Sequence, residues 1–187
     1  WIADMREELQ MGNRSILSGK LREEIEKRLE KKEQVVLFLN RRGYAGFVSC
    51  RACGHVMKCP HCDVSLTAHN NGKLVCHYCG YETPQVHACP SCGSPYIGGF
   101  RAGTQQIEQN VKKLFPKARV LRMDYDTTRT KGSYEKILSS FAEHKADILV
   151  GTQMIVKGHD FPDVTLVGAI AADLSLNAAD YRCAERT

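Results

Sequence analysis

The sequence lacks several patterns that would assign it to a functional class at once. No apolar run approaches the ~18 residues of a membrane-spanning helix, so we expect neither a membrane segment nor a membrane partner. The phosphate-binding pattern G-x-x-x-x-G-K-[S/T] is absent, and no clear carboxylate motif for Mg²⁺ is present. A nucleophile elbow and a serine–histidine–aspartate set are missing too. The 187 residues therefore predict no complete catalytic centre of their own.

Large apolar residues are scarce between Cys50 and Cys92. A segment of about 40 residues with so small a core rarely folds without disulfides or metal ions. The chain as a whole has ordinary globular composition, with 43% hydrophobic and 25% charged residues, and its length suits one medium domain and one small domain. We therefore expect a further source of stability between Cys50 and Cys92.

This segment is rich in cysteine, with eight of the nine in the chain arranged as four C-x-x-C pairs. Two such turns supply the four thiolates that Zn²⁺ prefers in structural sites, so the four pairs predict two structural zinc ions. Disulfides explain the pattern less well because no secretory signal is visible, and redox C-x-x-C motifs occur singly. Reduced cysteines on metal favour an intracellular compartment. The pairs are Cys50/Cys53, Cys59/Cys62, Cys76/Cys79 and Cys89/Cys92.

Spacing alone does not decide which pairs share a metal. The inner pairs, Cys59/Cys62 and Cys76/Cys79, flank a turn-rich stretch and predict a hairpin that closes on one zinc. The outer pairs, Cys50/Cys53 and Cys89/Cys92, would hold the other, and we favour this nested arrangement over an interleaved one. Nearby histidines could replace a ligand, but eight cysteines already fill two sites, so we expect the histidines at the surface or beside the ligands. They are His55, His61, His77 and His87.

Hydrophobic periodicity predicts helices alternating with strands. Ser18 is expected to cap a helix that runs to about Lys32, and Thr104 to cap another, whereas residues 1–18 are expected to be extended. Strands that alternate with helices imply right-handed crossovers, so the predicted fold class is α/β with a mostly parallel sheet and the cysteine-rich module inserted in it. The predicted strands are 34–39, 118–123, 147–150 and 164–171, and the further helices are 134–141 and 178–187.

Net charge gives weak evidence for a nucleic-acid partner. The formal charge is +5, and eight thiolates with two Zn²⁺ would lower it by four. The prediction of a nucleic-acid partner therefore rests on local basic groups. Arg41 and Arg42 follow a predicted buried strand, which is where open α/β sheets place ligands, although a salt-bridged turn explains them equally well.

A second candidate site follows the predicted strand 147–150. Thr152 and Gln153 leave the strand, and a loop then carries Lys157, Gly158 and Asp160. Hydroxyl, amide and backbone N–H groups at a strand end can hold phosphates without reading sequence, and a carboxylate suits a ribose hydroxyl. The alternative is an ordinary connecting loop.

Taken together, these stretches resemble the PriA family of replication-restart DNA helicases (primosomal protein N′), members of helicase superfamily 2. The resemblance covers essentially the whole chain, and a four-pair cysteine module inside a helicase lobe makes it specific. It rests on Phe38-Leu-Asn-Arg-Arg-Gly-Tyr-Ala45, the four C-x-x-C pairs, Gly103-Thr104 with Phe115-Pro116, Arg122-Met-Asp124 with Asp126-Thr-Thr128, Gly151-Thr-Gln-Met-Ile155 with Lys157-Gly-His-Asp-Phe-Pro162, and Asp180-Tyr-Arg182.

The resemblance implies an ATP-driven 3′→5′ DNA helicase that acts at stalled forks and in primosome assembly. This chain would supply the second RecA-like lobe: a first part (1–49), a two-zinc insert (50–92) and a remainder (93–187) that stops before the arginine-finger motif. It would be part of a longer protein and inactive alone, because the Walker motifs that bind ATP and Mg²⁺ belong to the first lobe. Implied partners are forked and single-stranded DNA, single-stranded DNA-binding protein and helicase-loading proteins. The resemblance also implies a cytoplasmic location and a monomer.

The resemblance also implies roles for single residues. The eight cysteines would be zinc ligands, and Gly158 and Asp160 would face nucleotide. The implied DNA contacts are Thr152, Gln153, Lys157, Arg41 and Arg42. The chain departs from the family at Arg101, where glycine is usual, at Gln105, where glutamate is usual, and at Cys183, where alanine is usual, which puts only local contacts there in doubt.

Two other functions compete with a motor. A non-catalytic zinc-ribbon interaction module on an α/β scaffold explains the cysteines and the missing phosphate loop, but not the loop that carries Lys157 and Asp160. A metal-dependent hydrolase is disfavoured, because zinc enclosed by four cysteines leaves no open position for water.

Overall fold

The structure is a computed structural model that describes residues 1–39, 46–99, 102–152, 155 and 161–173. These residues divide into two compact units. Of the described residues, the α/β unit contains 16–39, 102–152, 155 and 161–172, and the cysteine-rich unit contains 1–15, 46–99 and 173. Within the described residues, every helix is too short or too polar to cross a membrane. Whether the domain boundaries lie at 49/50 and 92/93 stays a prediction.

Within the described residues, the helices are α1 (Met5–Gln10), α2 (Gly19–Glu30), α3 (Thr104–Leu114) and α4 (Ser133–Ala142), and the predicted helix 178–187 lies outside these residues. The strands are β1 (Gln34–Leu39), β2 (Val48–Cys50), β3 (Thr67–Ala68), β4 (Lys73–Val75), β5 (Glu82–Pro84), β6 (Ile97–Gly99), β7 (Val120–Met123), β8 (Ile148–Gly151) and β9 (Val164–Ile170).

A four-stranded parallel sheet with the order β7-β8-β1-β9 forms the α/β unit. This confirms the predicted α/β class and its mostly parallel sheet. Strand β1 lies before the cysteine-rich residues in the chain, and β7, β8 and β9 lie after them. The cysteine-rich module is therefore an insertion in the sequence of the α/β unit.

The strands at the centre of the sheet are buried on both faces, as their continuous apolar runs predict. All four residues of β8 are buried, and five of the six in β1. One hydrophobic cluster packs Val36 and Leu149 of these strands against Leu138 and Phe141 of α4. Burial of these side chains positions the sheet and therefore the carboxyl ends of its strands.

Two helix starts differ from the sequence predictions. Residues 5–10 form α1, whose N-cap Asp4 accepts a hydrogen bond from the backbone N–H of Arg6 at 2.8 Å, so the prediction of an extended segment was wrong here. Helix α3 begins at Thr104 with Gly103 as its N-cap. The Thr104 hydroxyl does not cap the helix but donates to Asp124 Oδ2 at 2.5 Å. Thr104 is itself the first helical residue, so its hydroxyl does not occupy the capping position and instead donates to this buried carboxylate. The predicted cap at Ser18 is confirmed, since its Oγ accepts from the Leu21 N–H at 3.1 Å.

Gln34, the first residue of β1, is a buried polar side chain whose role the sequence did not reveal. Only 2% of it is exposed, and its Nε2 donates to the carbonyl oxygens of Phe141 (2.7 Å) and Ala146 (2.8 Å). Both acceptors lie more than 100 residues away, at the end of α4 and just before β8. The amide group therefore links the start of β1 to the α4–β8 connection.

We expect Gln34→Met to destabilise the α/β unit by roughly 1–3 kcal/mol, because the buried carbonyls of Phe141 and Ala146 each lose one donor, although Phe141 keeps that of the His144 N–H, while the side chain keeps its length. Gln109→Met is the matched control, since Gln109 is exposed on α3. Urea unfolding of the two variants and the parent chain measures the difference. Equal stability of Gln34→Met and the parent chain would contradict this account.

Two small antiparallel sheets organise the cysteine-rich unit. Strand β2 pairs with β6, and β3, β4 and β5 form a three-stranded sheet. The predicted hairpin between the inner cysteine pairs is confirmed as β3–β4, with Gly72 in its turn at φ +76°. The core is small, as expected: Val48, Leu66 and Leu74 pack with the cysteine side chains of Cys59 and Cys76.

Candidate metal centres

The four C-x-x-C pairs adopt one repeated backbone turn. In each, the carbonyl of the first cysteine accepts a hydrogen bond from the N–H four residues later, at 2.8–3.0 Å, and its own N–H donates to the carbonyl five residues later, at 2.7–2.8 Å. The donor of the first bond has positive φ in every turn, which glycine adopts freely and aspartate tolerates. These donors are Gly54, Asp63, Gly80 and Gly93.

The turns place the first cysteine of each pair inside and the second nearer to solvent. Cys50, Cys59, Cys76 and Cys89 are at most 3% exposed. The second members are half-buried (Cys53, Cys62) or exposed (Cys79, Cys92). Each pair therefore presents two sulfurs from one turn at different depths.

Two clusters of four cysteines result. One unites the outer pairs, Cys50/Cys53 with Cys89/Cys92, and the other unites the inner pairs, Cys59/Cys62 with Cys76/Cys79. Within each cluster all four sulfurs lie within 4.8 Å of one another. This is the nested grouping that the sequence favoured. The hairpin β3–β4 brings the inner pairs together, and pairing of β2 with β6 brings the outer pairs together.

The sulfur geometry fits zinc. Zn–S bonds of about 2.3 Å in a tetrahedron place neighbouring sulfurs about 3.8 Å apart. The sulfur–sulfur distances are 3.7 Å for Cys50–Cys92, 3.7 Å for Cys53–Cys89 and 3.6 Å for Cys59–Cys79. Disulfides need about 2.0 Å, so these are thiol clusters. Both clusters fit structural Zn²⁺, and four thiolates leave no position at the metal for a reactive water.

The thiols of the inner cluster divide into an acidic and a weakly acidic group. The Cys79 N–H donates to the Cys76 sulfur and lowers the pKa of Cys76 to about 7, against the effect of burial. A hydrogen bond to the Cys79 sulfur, together with burial, raises the pKa of Cys62 to about 12. The Cys76 thiol would thus be partly ionised and able to bind a cation near neutral pH. The Cys62 thiol would lose its proton only when a metal ion binds in place of that proton.

The outer cluster shows the same division. Burial opposes ionisation of Cys89, but the N–H groups of Cys92 and Ser91 outweigh it and lower the pKa of Cys89 to about 7. The Ser94 N–H stabilises the Cys92 thiolate, but this is outweighed by the neighbouring sulfurs and by burial, which raise the pKa of Cys92 to about 12. The repeated turn therefore produces the same electrostatics in both clusters.

Arg51, inside the first C-x-x-C turn, fastens the N-terminal segment of the cysteine-rich unit. Its guanidinium donates to the carbonyls of Asn13 (3.1 Å), Arg14 (2.9 Å) and Ser15 (2.6 Å). Arg14 in turn lies over the ring of Tyr96, 5.7 Å from its centroid. The three hydrogen bonds of Arg51 span 36–38 residues, and no local sequence pattern predicted them.

Of the predicted nucleotide and DNA residues, only Thr152 lies among the described residues. It follows β8 directly, is half-buried, and its carbonyl accepts from the Ile155 N–H at 3.1 Å. Strands β1 and β8 are parallel neighbours with Phe38 opposite Gly151, so the carboxyl ends of both strands lie at the same edge of the sheet. The other predicted residues lie outside the described part of the chain: Arg41, Arg42, Gln153, Lys157, Gly158 and Asp160.

Known proteins match the chain along its whole length. A family model described as the PriA DNA helicase Cys-rich region (CRR) domain matches residues 59–84. Replication restart protein PriA of Bacillus subtilis (strain 168) is 57% identical over 187 residues, 100% of this chain and 23% of that protein. The proteins of the same name from Synechocystis and Haemophilus influenzae are 50% and 43% identical over 99% and 91% of this chain, again 23% of each relative. Along this segment, the chain belongs to the PriA family. It spans about a quarter of the length of these curated relatives.

The PriA Cys-rich match coincides with the inner cluster. Residues 59–84 include all four of its cysteines and strands β3, β4 and β5. The outer cluster lies outside that family model, and its fit to zinc rests on the sulfur distances and on the repeated turns. The matches to PriA proteins along the chain confirm the resemblance to the PriA family that the motifs indicated.

Proposed function

We propose that this chain is the second, RecA-like motor lobe of an ATP-dependent 3′→5′ DNA helicase that restarts replication at stalled forks, with a two-zinc module inserted in it. The observation that carries the proposal is a parallel sheet interrupted in sequence by two four-cysteine clusters, in a chain 57% identical to a replication restart protein along its whole length. The boundaries 1–49, 50–92 and 93–187 belong to the same proposal.

The sheet edge supports the proposed motor role. The carboxyl ends of β1 and β8, which the segments carrying Arg41 and Thr152 follow in the sequence, lie side by side at one edge of the sheet, and open parallel sheets bind ligands at the carboxyl ends of their strands. We assign Gly158 and Asp160 to nucleotide held between two lobes. We assign the DNA backbone to the other polar residues of these two segments. They are Thr152, Gln153, Lys157, Arg41 and Arg42.

ATP with Mg²⁺ would bind mainly to the partner lobe, because this chain has no phosphate-binding loop. Closure of the lobes on ATP and reopening after hydrolysis would then move the Thr152 segment along DNA. The zinc module would engage forked and single-stranded DNA, single-stranded DNA-binding protein or helicase-loading proteins. Reduced cysteine clusters fit a cytoplasmic protein, and we propose a monomer.

The decisive experiment compares ATP hydrolysis by the full-length parent protein and by this chain, with and without single-stranded DNA. The expected result is DNA-dependent hydrolysis by the parent and none by the chain. A zinc-loaded, folded parent that hydrolyses no ATP would overturn the motor assignment. A non-catalytic zinc-ribbon interaction module would then be the better account.

Asp160→Ala in the full-length protein is expected to lower DNA-stimulated ATP hydrolysis with zinc content unchanged, because the proposed ribose or interlobe contact is lost. Asp163→Ala is the matched control, since Asp163 is an exposed aspartate of the same region that pairs with His144 at 2.7 Å. Steady-state hydrolysis and zinc analysis of both variants test the assignment. Unaltered turnover in Asp160→Ala would remove this residue from the site.

A further inference from the structure

A pair of metal-binding side chains meets on the cysteine-rich unit outside both cysteine clusters. The Nε2 atoms of His69 and His77 are 3.1 Å apart, with ring centroids 5.1 Å apart and ring planes inclined by 54°. Neither the zinc clusters nor the proposed motor uses these two residues. We propose that His69 and His77 form a third metal site, which binds a divalent transition-metal ion such as Zn²⁺ or Ni²⁺ through two imidazoles.

The distances suit shared coordination. The nitrogens are much closer together than the ring centroids, so each Nε2 lies on the side of its ring that faces the other. With an ion at about 2.0–2.1 Å from both nitrogens, the nitrogen–metal–nitrogen angle would be about 100°, between the square-planar and tetrahedral values. Neutral imidazole is the commonest protein ligand for such ions. The two rings therefore need little movement to bind one ion.

The backbone holds both histidines in place. His69 follows β3, its N–H donates to the Lys73 carbonyl at 2.9 Å, and its carbonyl accepts from the Gly72 N–H at 3.2 Å. His77 follows Cys76, whose N–H donates to the Tyr81 carbonyl at 2.8 Å in the third cysteine turn. The hairpin fixes one ligand and the cysteine turn fixes the other. Such preorganisation lowers the entropy cost of binding.

The surroundings admit a cation. The ammonium of Lys73 is neutralised by Glu82, at 2.5 Å, so it does not repel an added charge strongly. The Lys73 ammonium holds the pKa of Glu82 below its usual value, so this carboxylate stays anionic within electrostatic reach of His69. Among the described residues, no third ligand atom completes a group with both histidines. Since His77 is exposed, water or a partner's donor atom can fill the remaining positions.

The test uses the zinc-loaded 187-residue chain and Ni²⁺ as the probe. Calorimetric titration with total metal analysis is expected to show one Ni²⁺ bound while two zinc ions per chain remain. Because even residues that only orient a ligand change metal affinity by about 10–100-fold, His69→Asn and His77→Asn should each weaken Ni²⁺ binding by at least roughly tenfold. Paramagnetic broadening should centre on the ring signals of His69 and His77.

His87→Asn is the matched control, because His87 is an exposed histidine elsewhere in the same unit and its loss should leave Ni²⁺ affinity unchanged. Zinc content of two per chain in every variant shows that the cysteine clusters are intact. Absence of Ni²⁺ binding, or equal binding by all three variants, would overturn the proposal and leave the pair as an imidazole–imidazole hydrogen bond.

Discussion

Cys76→Ser is expected to empty the inner cysteine cluster and to unfold the sheet β3-β4-β5. Cys76 is fully buried, and its side chain belongs to the hydrophobic cluster of the cysteine-rich unit. A structural zinc contributes an apparent ~10–16 kcal/mol of binding free energy, which a serine hydroxyl does not replace because it stays protonated and binds zinc poorly. The small apolar core cannot compensate for a loss of this size.

Zinc analysis and hydrogen exchange measure this result. The variant should retain one zinc per chain instead of two, and the amides of β4 should lose their protection. Cys183→Ser is the matched control, since it makes the same chemical change outside the C-x-x-C pairs and should keep both ions. Two tightly held zinc ions in Cys76→Ser would contradict the assignment of Cys76 as a ligand.

The α/β unit is expected to survive the same substitution. Among the described residues, the cluster formed by Val36, Leu149 and Phe141 contains no cysteine, and the parallel sheet consists of β7, β8, β1 and β9. Protection of β8 amides should therefore match that of the parent chain. Loss of protection in both units together would instead mean that they unfold as one cooperative structure.

Short-range patterns predicted most of this fold. The continuous apolar run of β1 and the cap at Ser18 each follow from neighbouring residues, and both agree with the structure. The cysteine turns are also local, because each closes within five residues. The nested grouping was predictable to the extent that a hairpin joined the inner pairs.

Contacts between distant residues could not be predicted in the same way. Gln34 bonds to carbonyls more than 100 residues away, Arg51 to carbonyls 36–38 residues away, and Thr104 to Asp124 across the α3–β7 connection. Polar side chains of this kind look like solvated surface in a sequence, because their partners are brought to them only by the finished fold. His69 and His77 meet for the same reason, across β4.

Gly151→Ala is expected to destabilise the α/β unit by the upper end of the ~1–3 kcal/mol typical of overpacked cores. A Cβ at Gly151 would meet the carbonyl oxygen of Met123 and the side chain of Ile155. Met123 lies opposite Gly151 in the paired strand β7, so its carbonyl cannot retreat without disturbing the β7–β8 ladder. The clash is therefore with backbone, and the sheet must absorb it.

Two other glycines allow the cost of an added Cβ to be compared between sites. At Gly168 a Cβ would meet only side-chain ends, Leu37 Cδ2 at 2.9 Å and Leu21 Cδ1 at 3.0 Å, which can rotate away, so Gly168→Ala should cost about 1 kcal/mol. At Gly103 nothing lies within 4 Å and φ is −93°, so alanine fits without strain. The lower conformational freedom of alanine in the unfolded chain offsets the preference of N-cap positions for glycine, so Gly103→Ala should change stability by only a few tenths of a kcal/mol. Urea unfolding should show the largest loss of stability for Gly151→Ala, a smaller loss for Gly168→Ala and the smallest change for Gly103→Ala.

Two of these variants, Gly151→Ala and Gly168→Ala, also test whether the end of β8 contributes to the proposed motor. Gly151 directly precedes Thr152, so displacement of the end of β8 would move the proposed DNA contact, whereas Gly168 lies in β9 and pairs with Leu37 in the interior of β1. In the full-length protein, below its unfolding temperature, Gly151→Ala should therefore lower DNA-stimulated ATP hydrolysis more than Gly168→Ala does. If both variants lose hydrolysis only in proportion to their loss of stability, the end of β8 has no special role in the motor.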